Sequence, residues 1–193
     1  MFLLQPMLQT IVTLDRHLMH AQESRWLIGG SCGLLLHQVD IQSNPRDLDL
    51  YVDQNDVPTI HAALLEFSLD LPACSRTPIY SSILSHYDIE GNAVEVVGDF
   101  HVDAQQSHYS VEAAYLWERH SLSVSLSDSC TVKIMPLAHE LLFNMLRDRP
   151  DRYEIIAQAI RKQPERHMPA LHDLLERNRW GKEFRNRLAQ LFD

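Results

Sequence analysis

Two apolar runs and the turn between them set the problem this chain must solve. Arg25-Trp26-Leu27-Ile28 runs directly into Gly29-Gly30-Ser31, and after a polar loop the chain resumes as Arg46-Asp47-Leu48-Asp49-Leu50-Tyr51-Val52. The first run reads as a short strand, Arg25 to Ile28. A glycine pair permits a tight turn that other residues resist, and Ser31 is placed to N-cap a helix from Cys32 to about His37. The second run reads as a strand over Arg46–Val52. Side chains two apart on a strand point to the same face, so Asp47 and Asp49 can reach one point together.

Two carboxylates converging on a point suit Mg²⁺. A Gly-Gly-Ser turn between strand and helix suits a phosphate, because backbone N–H groups and a helix N-terminus attract anions. A purely structural turn is the plain alternative, and the aspartate pair weighs against it. Together the two pieces read as a site for a metal-bound nucleoside triphosphate. Arg46 either contacts a phosphate or pairs with Asp47.

The pairing of Gly29-Gly30-Ser31 with Asp47-Leu48-Asp49 resembles the nucleotidyltransferase superfamily, whose members share a polymerase-beta-like core. The resemblance covers about the first half of the chain, and the small antibiotic and AbiEii-like members are the type it suggests. It implies an α+β fold with a mixed sheet, flanking helices and a small helical C-terminal part. It also implies a third carboxylate on a later strand. Val94-Glu95-Val96-Val97-Gly98-Asp99 offers two. A carboxylate within so apolar a strand is costly unless paired, protonated or metal-bound, which selects Glu95. Asp99 has the same parity but follows a glycine near the strand end, where aspartates serve turns.

The resemblance extends to Pro136-Leu137-Ala138-His139-Glu140-Leu141-Leu142-Phe143-Asn144, followed by Arg149-Pro150-Asp151-Arg152. Asn144 stands where the resemblance implies a lysine, and asparagine brings no charge to a phosphate. Arg147, Arg149 and Arg152 are the neighbouring cations. The implied activity is Mg²⁺-dependent transfer of a nucleoside monophosphate from an NTP to a hydroxyl of an acceptor. That acceptor is a small molecule, a protein or an RNA. In this reading Asp47 and Asp49 bind metal, Glu95 is general base or third ligand, and Gly29, Gly30, Ser31 and Arg46 bind the nucleotide. The alternative is a nucleotide-binding, regulatory, antitoxin-like protein of the same fold with weakened turnover.

Composition narrows the rest. The chain has 193 residues, 45% of them hydrophobic and 22% charged, as in ordinary globular proteins. No apolar run is long enough to span a bilayer, and Met1 to Pro6 lacks the basic region and cleavage site of a signal peptide. Cys32, Cys74 and Cys130 are odd in number and scattered, which is expected of reduced thiols in the cytoplasm. Cys32 is read as a packing residue. Between Arg147 and Arg187 lie 11 Lys and Arg against 7 acids, a segment of +4 that leaves −13 elsewhere. A chain this acidic is a poor generic nucleic-acid binder.

Beyond the site, the patterns predict a helix from Pro6 to about Glu23 and one from Asp56 to about Phe67. Asp53 has the parity of Asp47 and Asp49 but lies at a strand end. Leu71 to Pro78 reads as a connector. Ile79–Ile89 and Ala93–Phe100 read as a hairpin around Glu90-Gly91-Asn92, and His101 to Tyr109 as a loop. Ser121–Ser127 and Thr131–Met135 read as strands extending the sheet. Four helices follow, over about 137–147, 152–161, 169–177 and 182–192. The division expected is a catalytic core at 1–135 and a helical subdomain at 136–193. Arg161 and His167 have the spacing of a helical nucleotide-binding ribonuclease motif, but Pro164 intervenes. His17 and His20 have helical spacing and read as surface residues rather than a metal pair.

Overall fold

The computed structural model describes residues 4–19, 21 and 24–192. The chain forms an α+β fold around a mixed sheet of eight strands. Its elements run α1 (Gln5–Leu18), β1 (Trp26–Gly29), α2 (Gly30–Leu36), β2 (Asp47–Val52), α3 (Val57–Ala63), β3 (Ala73–Arg76), β4 (Tyr80–Ile89), β5 (Asn92–Ala104), β6 (Ser107–Ser110), α4 (Ala113–Arg119), β7 (Leu122–Ser127), β8 (Cys130–Ile134), α5 (Leu137–Leu146), α6 (Pro150–Lys162), α7 (Pro164–Arg177) and α8 (Lys182–Gln190).

The strand order is β3-β4-β5-β2-β1-β8-β7, with β6 paired to the far half of β5. β2 lies antiparallel to β1 and parallel to β5, while β1 runs parallel to β8. Alternation then sorts the side chains. Leu48, Leu50, Val94 and Val96 point to one face, where they pack with Ile11 and Leu14 of α1 and Val57 and Ile60 of α3. Tyr51, Val97 and Leu27 point to the other, joining Leu141, Ile156, Leu174 and Phe184 of the four C-terminal helices in one core. Helices α5 to α8 thus pack over the face of the sheet that carries Asp47 and Asp49, leaving a cavity beside the two acids.

Several boundaries differ from the sequence reading. Helix α1 ends at Leu18; residues 20, 22 and 23, which the reading included, lie outside the described residues. The connector at 71–78 contains β3, a short exposed edge strand with no alternation to betray it. The supposed loop at 101–109 is a second hairpin. β5 continues to Ala104, turns through Gln105 and Gln106 at φ 52° and 58°, and returns as β6. Polar residues without a glycine concealed that turn. The first hairpin turns on Glu90-Gly91, with both residues at positive φ. Helix α7 begins at Pro164 and carries Pro169 inside. Proline suits the first turn of a helix, where its missing N–H has no partner to lose.

Candidate active site

The site grows from one row across three strands. Gly29 at the end of β1 registers with Asp49 of β2, and Asp49 registers with Glu95 of β5. Parity adds Asp47 to the same face. Asp47, Asp49 and Glu95 are half-buried, and they line a cavity of about 570 Å³ together with Gly30 and Ser31.

The two glycines are demanded by what lies against them. Gly30 sits at φ +59°, and a Cβ there would fall 1.8 Å from Asp49 Oδ2. A Cβ on Gly29 would fall 2.6 Å from the Tyr51 ring. Ser31 is not the N-cap that the sequence suggests. Helix α2 starts at Gly30, and the cap position is Gly29, which has no side chain to cap it. The service comes from a distant residue: Gly30 N–H donates to Glu140 Oε1 at 2.7 Å. Glu140, on α5, is only 1% exposed.

Burial and mutual repulsion act together on these acids. Burial pushes the Asp49 carboxyl up to about 7, with Asp47 and Glu95 adding to the shift and Arg147 opposing it. Burial, then Asp47, raises Glu95 above the usual carboxylate range, against the pull of His86. Burial pushes Glu140 up to about 8, despite the bond from Gly30. Nearby, Cys32 is fully buried and its thiol is pushed far up, chiefly by burial and then by Asp49 and Asp47. That marks it as a packing residue rather than a nucleophile.

Among the described residues no group of three or more His, Cys, Asp or Glu side chains is placed to hold a metal ion. Mg²⁺ does not need one, because it retains waters and takes one or two carboxylates beside substrate phosphates. Hard oxygen donors that repel one another beside an open cavity fit such a cation, whose charge relieves that repulsion.

The structure separates the remaining candidates. Asp99 takes a left-handed backbone, φ 49°, and its carboxylate accepts from His101 Nε2 at 3.1 Å. It does not line the cavity. Arg46 is exposed on the cavity rim and, among the described residues, forms no ion pair with Asp47. Asp53 serves another helix, its carboxylate accepting the N–H groups of Ala113 and Ala114 at 2.6 and 3.0 Å. Arg161 and His167 lie on different helices, α6 and α7. His17 pairs with Glu66 at 3.4 Å, and His20 lies outside the described residues.

Residues from the last half of the chain share this cavity with the acids. Glu140, Phe143, Asn144, Arg147, Arg149 and Arg152 all line the cavity. Asn144 donates its amide to the Glu140 carbonyl at 2.8 Å. The sequence reading names Glu140 only as part of a helix start and gives it no role. Its signal was available: a carboxylate inside Leu137-Ala138-His139-Glu140-Leu141-Leu142-Phe143 is as costly to bury as Glu95 in its strand.

No family model matches the chain, and no curated protein matches it. Solved structures do. A Thermotoga maritima protein described as a nucleotidyltransferase is similar over 81% of this chain and 93% of that one, at 18% identity and a TM-score of 0.62. ANT(2'')-Ia, solved in complex with adenylyl-2''-tobramycin, is similar over 86% of this chain and 97% of that one, at 9% identity and a TM-score of 0.50. At such identities the likeness is one of fold. The chain has the α+β fold of nucleotidyltransferase enzymes, as the sequence resemblance implied.

Proposed function

We propose that this protein transfers a nucleoside monophosphate from an NTP to a hydroxyl of an acceptor, with Mg²⁺ as cofactor. One observation carries the proposal: Asp47, Asp49 and Glu95 share one face of adjacent strands, at a cavity that Arg147, Arg149 and Arg152 also line. Asp47 and Asp49 would hold the metal. Bound Mg²⁺ would neutralise the triphosphate and stabilise the in-line displacement. Gly29 and Gly30 let the backbone turn close against Asp49 and hold its carboxylate in place. Ser31 and Arg46 stand at the cavity to contact the nucleotide.

Glu95 acts as the proton acceptor or as a third oxygen ligand. Its raised pKa brings it nearer the working pH of a general base. The acceptor oxygen forms a bond to the α-phosphorus, and its proton passes to the Glu95 carboxylate. The bond from that phosphorus to the bridging oxygen breaks, and pyrophosphate leaves. The complex of ANT(2'')-Ia with an adenylylated product makes a hydroxyl the first acceptor group to try.

A second reading is a nucleotide binder without turnover. It is favoured by Asn144, which brings no charge to the cavity and commits its amide to Glu140. Calorimetry with each of the four common NTPs and Mg²⁺ tests the site. Binding that disappears in Asp49→Asn, with the fold retained, is the expected result, and no binding by any NTP overturns both readings. Pyrophosphate release in the presence of candidate acceptors then separates enzyme from binder.

A further inference from the structure

The glycine turn has one amide already engaged by a side-chain oxygen. Gly30 N–H is held by Glu140 Oε1 at 2.7 Å, inside a site that also holds Asp47 and Asp49. A carboxyl oxygen in that place already takes the donor that a phosphate oxygen would need. The turn is therefore a poor seat for the far end of a polyphosphate.

The junction of α5 and α6 has what the turn lacks. Helix α5 ends at Leu146, Asp148 adopts a left-handed backbone at φ 54°, and α6 starts at Pro150. That reversal brings Arg147, Arg149 and Arg152 to one cavity. Arg149 is held by Asp151 in a two-bond fork, at 2.9 and 2.7 Å. Arg152 donates Nη2 to Ser43 Oγ at 3.0 Å and lies 3.8 Å from Asp151, while its Nη1 is buried with no hydrogen-bond partner among the described residues. Arg147 lies 5.0 Å from the Phe143 ring centre and has no ion-pair partner among the described residues. Arg149 and Arg152 thus share one carboxylate, and Arg147 pairs with none among the described residues. Burial, then the repulsion of Arg149 and Arg147, weakens the hold of Arg152 on its proton, against the pull of Asp151. A planar guanidinium with spare donors binds phosphate oxygens in pairs.

We propose that Arg147 and Arg152 are the seat of the terminal phosphates of a nucleoside triphosphate, which Glu140 keeps off the glycine turn. They do so in place of the cation missing at Asn144. The identity of the ligand rests on the nucleotidyl-transfer reading; the anion site itself does not.

The test uses the whole chain and calorimetry, first with inorganic tripolyphosphate in the absence of divalent metal, then with ATP or AMP and Mg²⁺. Wild type should bind tripolyphosphate. Arg147→Ala and Arg152→Ala should each weaken tripolyphosphate and ATP by about tenfold or more, and leave AMP within about twofold. Arg147→Lys should recover part of the loss, which separates charge from folding; circular dichroism checks each variant. Equal tripolyphosphate binding by wild type and the double variant overturns the proposal, as does an AMP loss matching that of ATP. If tripolyphosphate binds through the arginines but ATP with Mg²⁺ is never cleaved, the anion site stands and the transfer reading falls. If ATP binds and is cleaved unchanged in the double variant, the reverse holds.

Discussion

One face of β2 is closed and apolar; the other is open and acidic. Leu48 and Leu50 are fully buried against α1 and α3, while Asp47 and Asp49 alternate with them and face the cavity. A strand achieves this because its side-chain period is 2, and a slip of one register would exchange the faces. The comparison teaches that stability and candidate chemistry are carried by interleaved residues. Each can be perturbed while the other is watched.

The largest stability effect belongs to the closed face. Leu50→Ala should cost about 2–5 kcal/mol in urea unfolding, yet leave the NTP affinity of the folded protein within about twofold. A matched loss of affinity would mean the faces are not separable. Gly30→Ala attacks the open face. It forces alanine to positive φ, a cost of about 1–3 kcal/mol, and drives a methyl into the Asp49 carboxylate. It should lower the melting temperature and abolish metal-dependent NTP binding; retained binding would show that the turn does not position Asp49.

Glu140→Gln probes a carboxyl that is near 8 in the folded state against about 4.3 unfolded. Between those values the folded protein holds the extra proton, so stability falls as pH rises through that window and is greatest below it. Glutamine still accepts from Gly30 but cannot ionise. The variant should remove up to about 1.4 kcal/mol per pH unit of that fall, read from urea melts at about pH 5 and about pH 8. Parallel slopes for the two proteins would place the titration elsewhere. Asp99→Asn should have the smallest effect, within about 0.5 kcal/mol on stability and no measurable change in NTP–Mg²⁺ affinity. A loss as large as that of Glu95→Gln would return Asp99 to the site.

Much of the architecture was open to reading because its causes are local. The alternation in 47–52, the Glu90-Gly91 turn and the proline before α5 each act within a few residues. Three elements were not legible. β3 and β6 are short, polar strands whose formation depends on β4 and β5 already being present. Helix α4 went unread because its start is satisfied by Asp53, 60 residues away. Among candidate residues, burial cost singled out Glu95 in its strand. The same cost falls on Glu140, but an apolar helix start hides a carboxylate behind an ordinary helical pattern.

By itself the sequence determined that Asp47 and Asp49 share a face, that a glycine pair breaks the chain beside them, and that Glu95 lies in an apolar strand. These follow from period and local sterics. Tertiary structure alone decided the rest. It set Glu95 in register with Asp49 and turned Asp99 aside through a left-handed residue. It also brought a carboxyl group from 110 residues away to the amide of Gly30, and three arginines to the same cavity. The reason is physical: a backbone amide at a helix start must find an acceptor, but nothing in its own neighbourhood of sequence says which one.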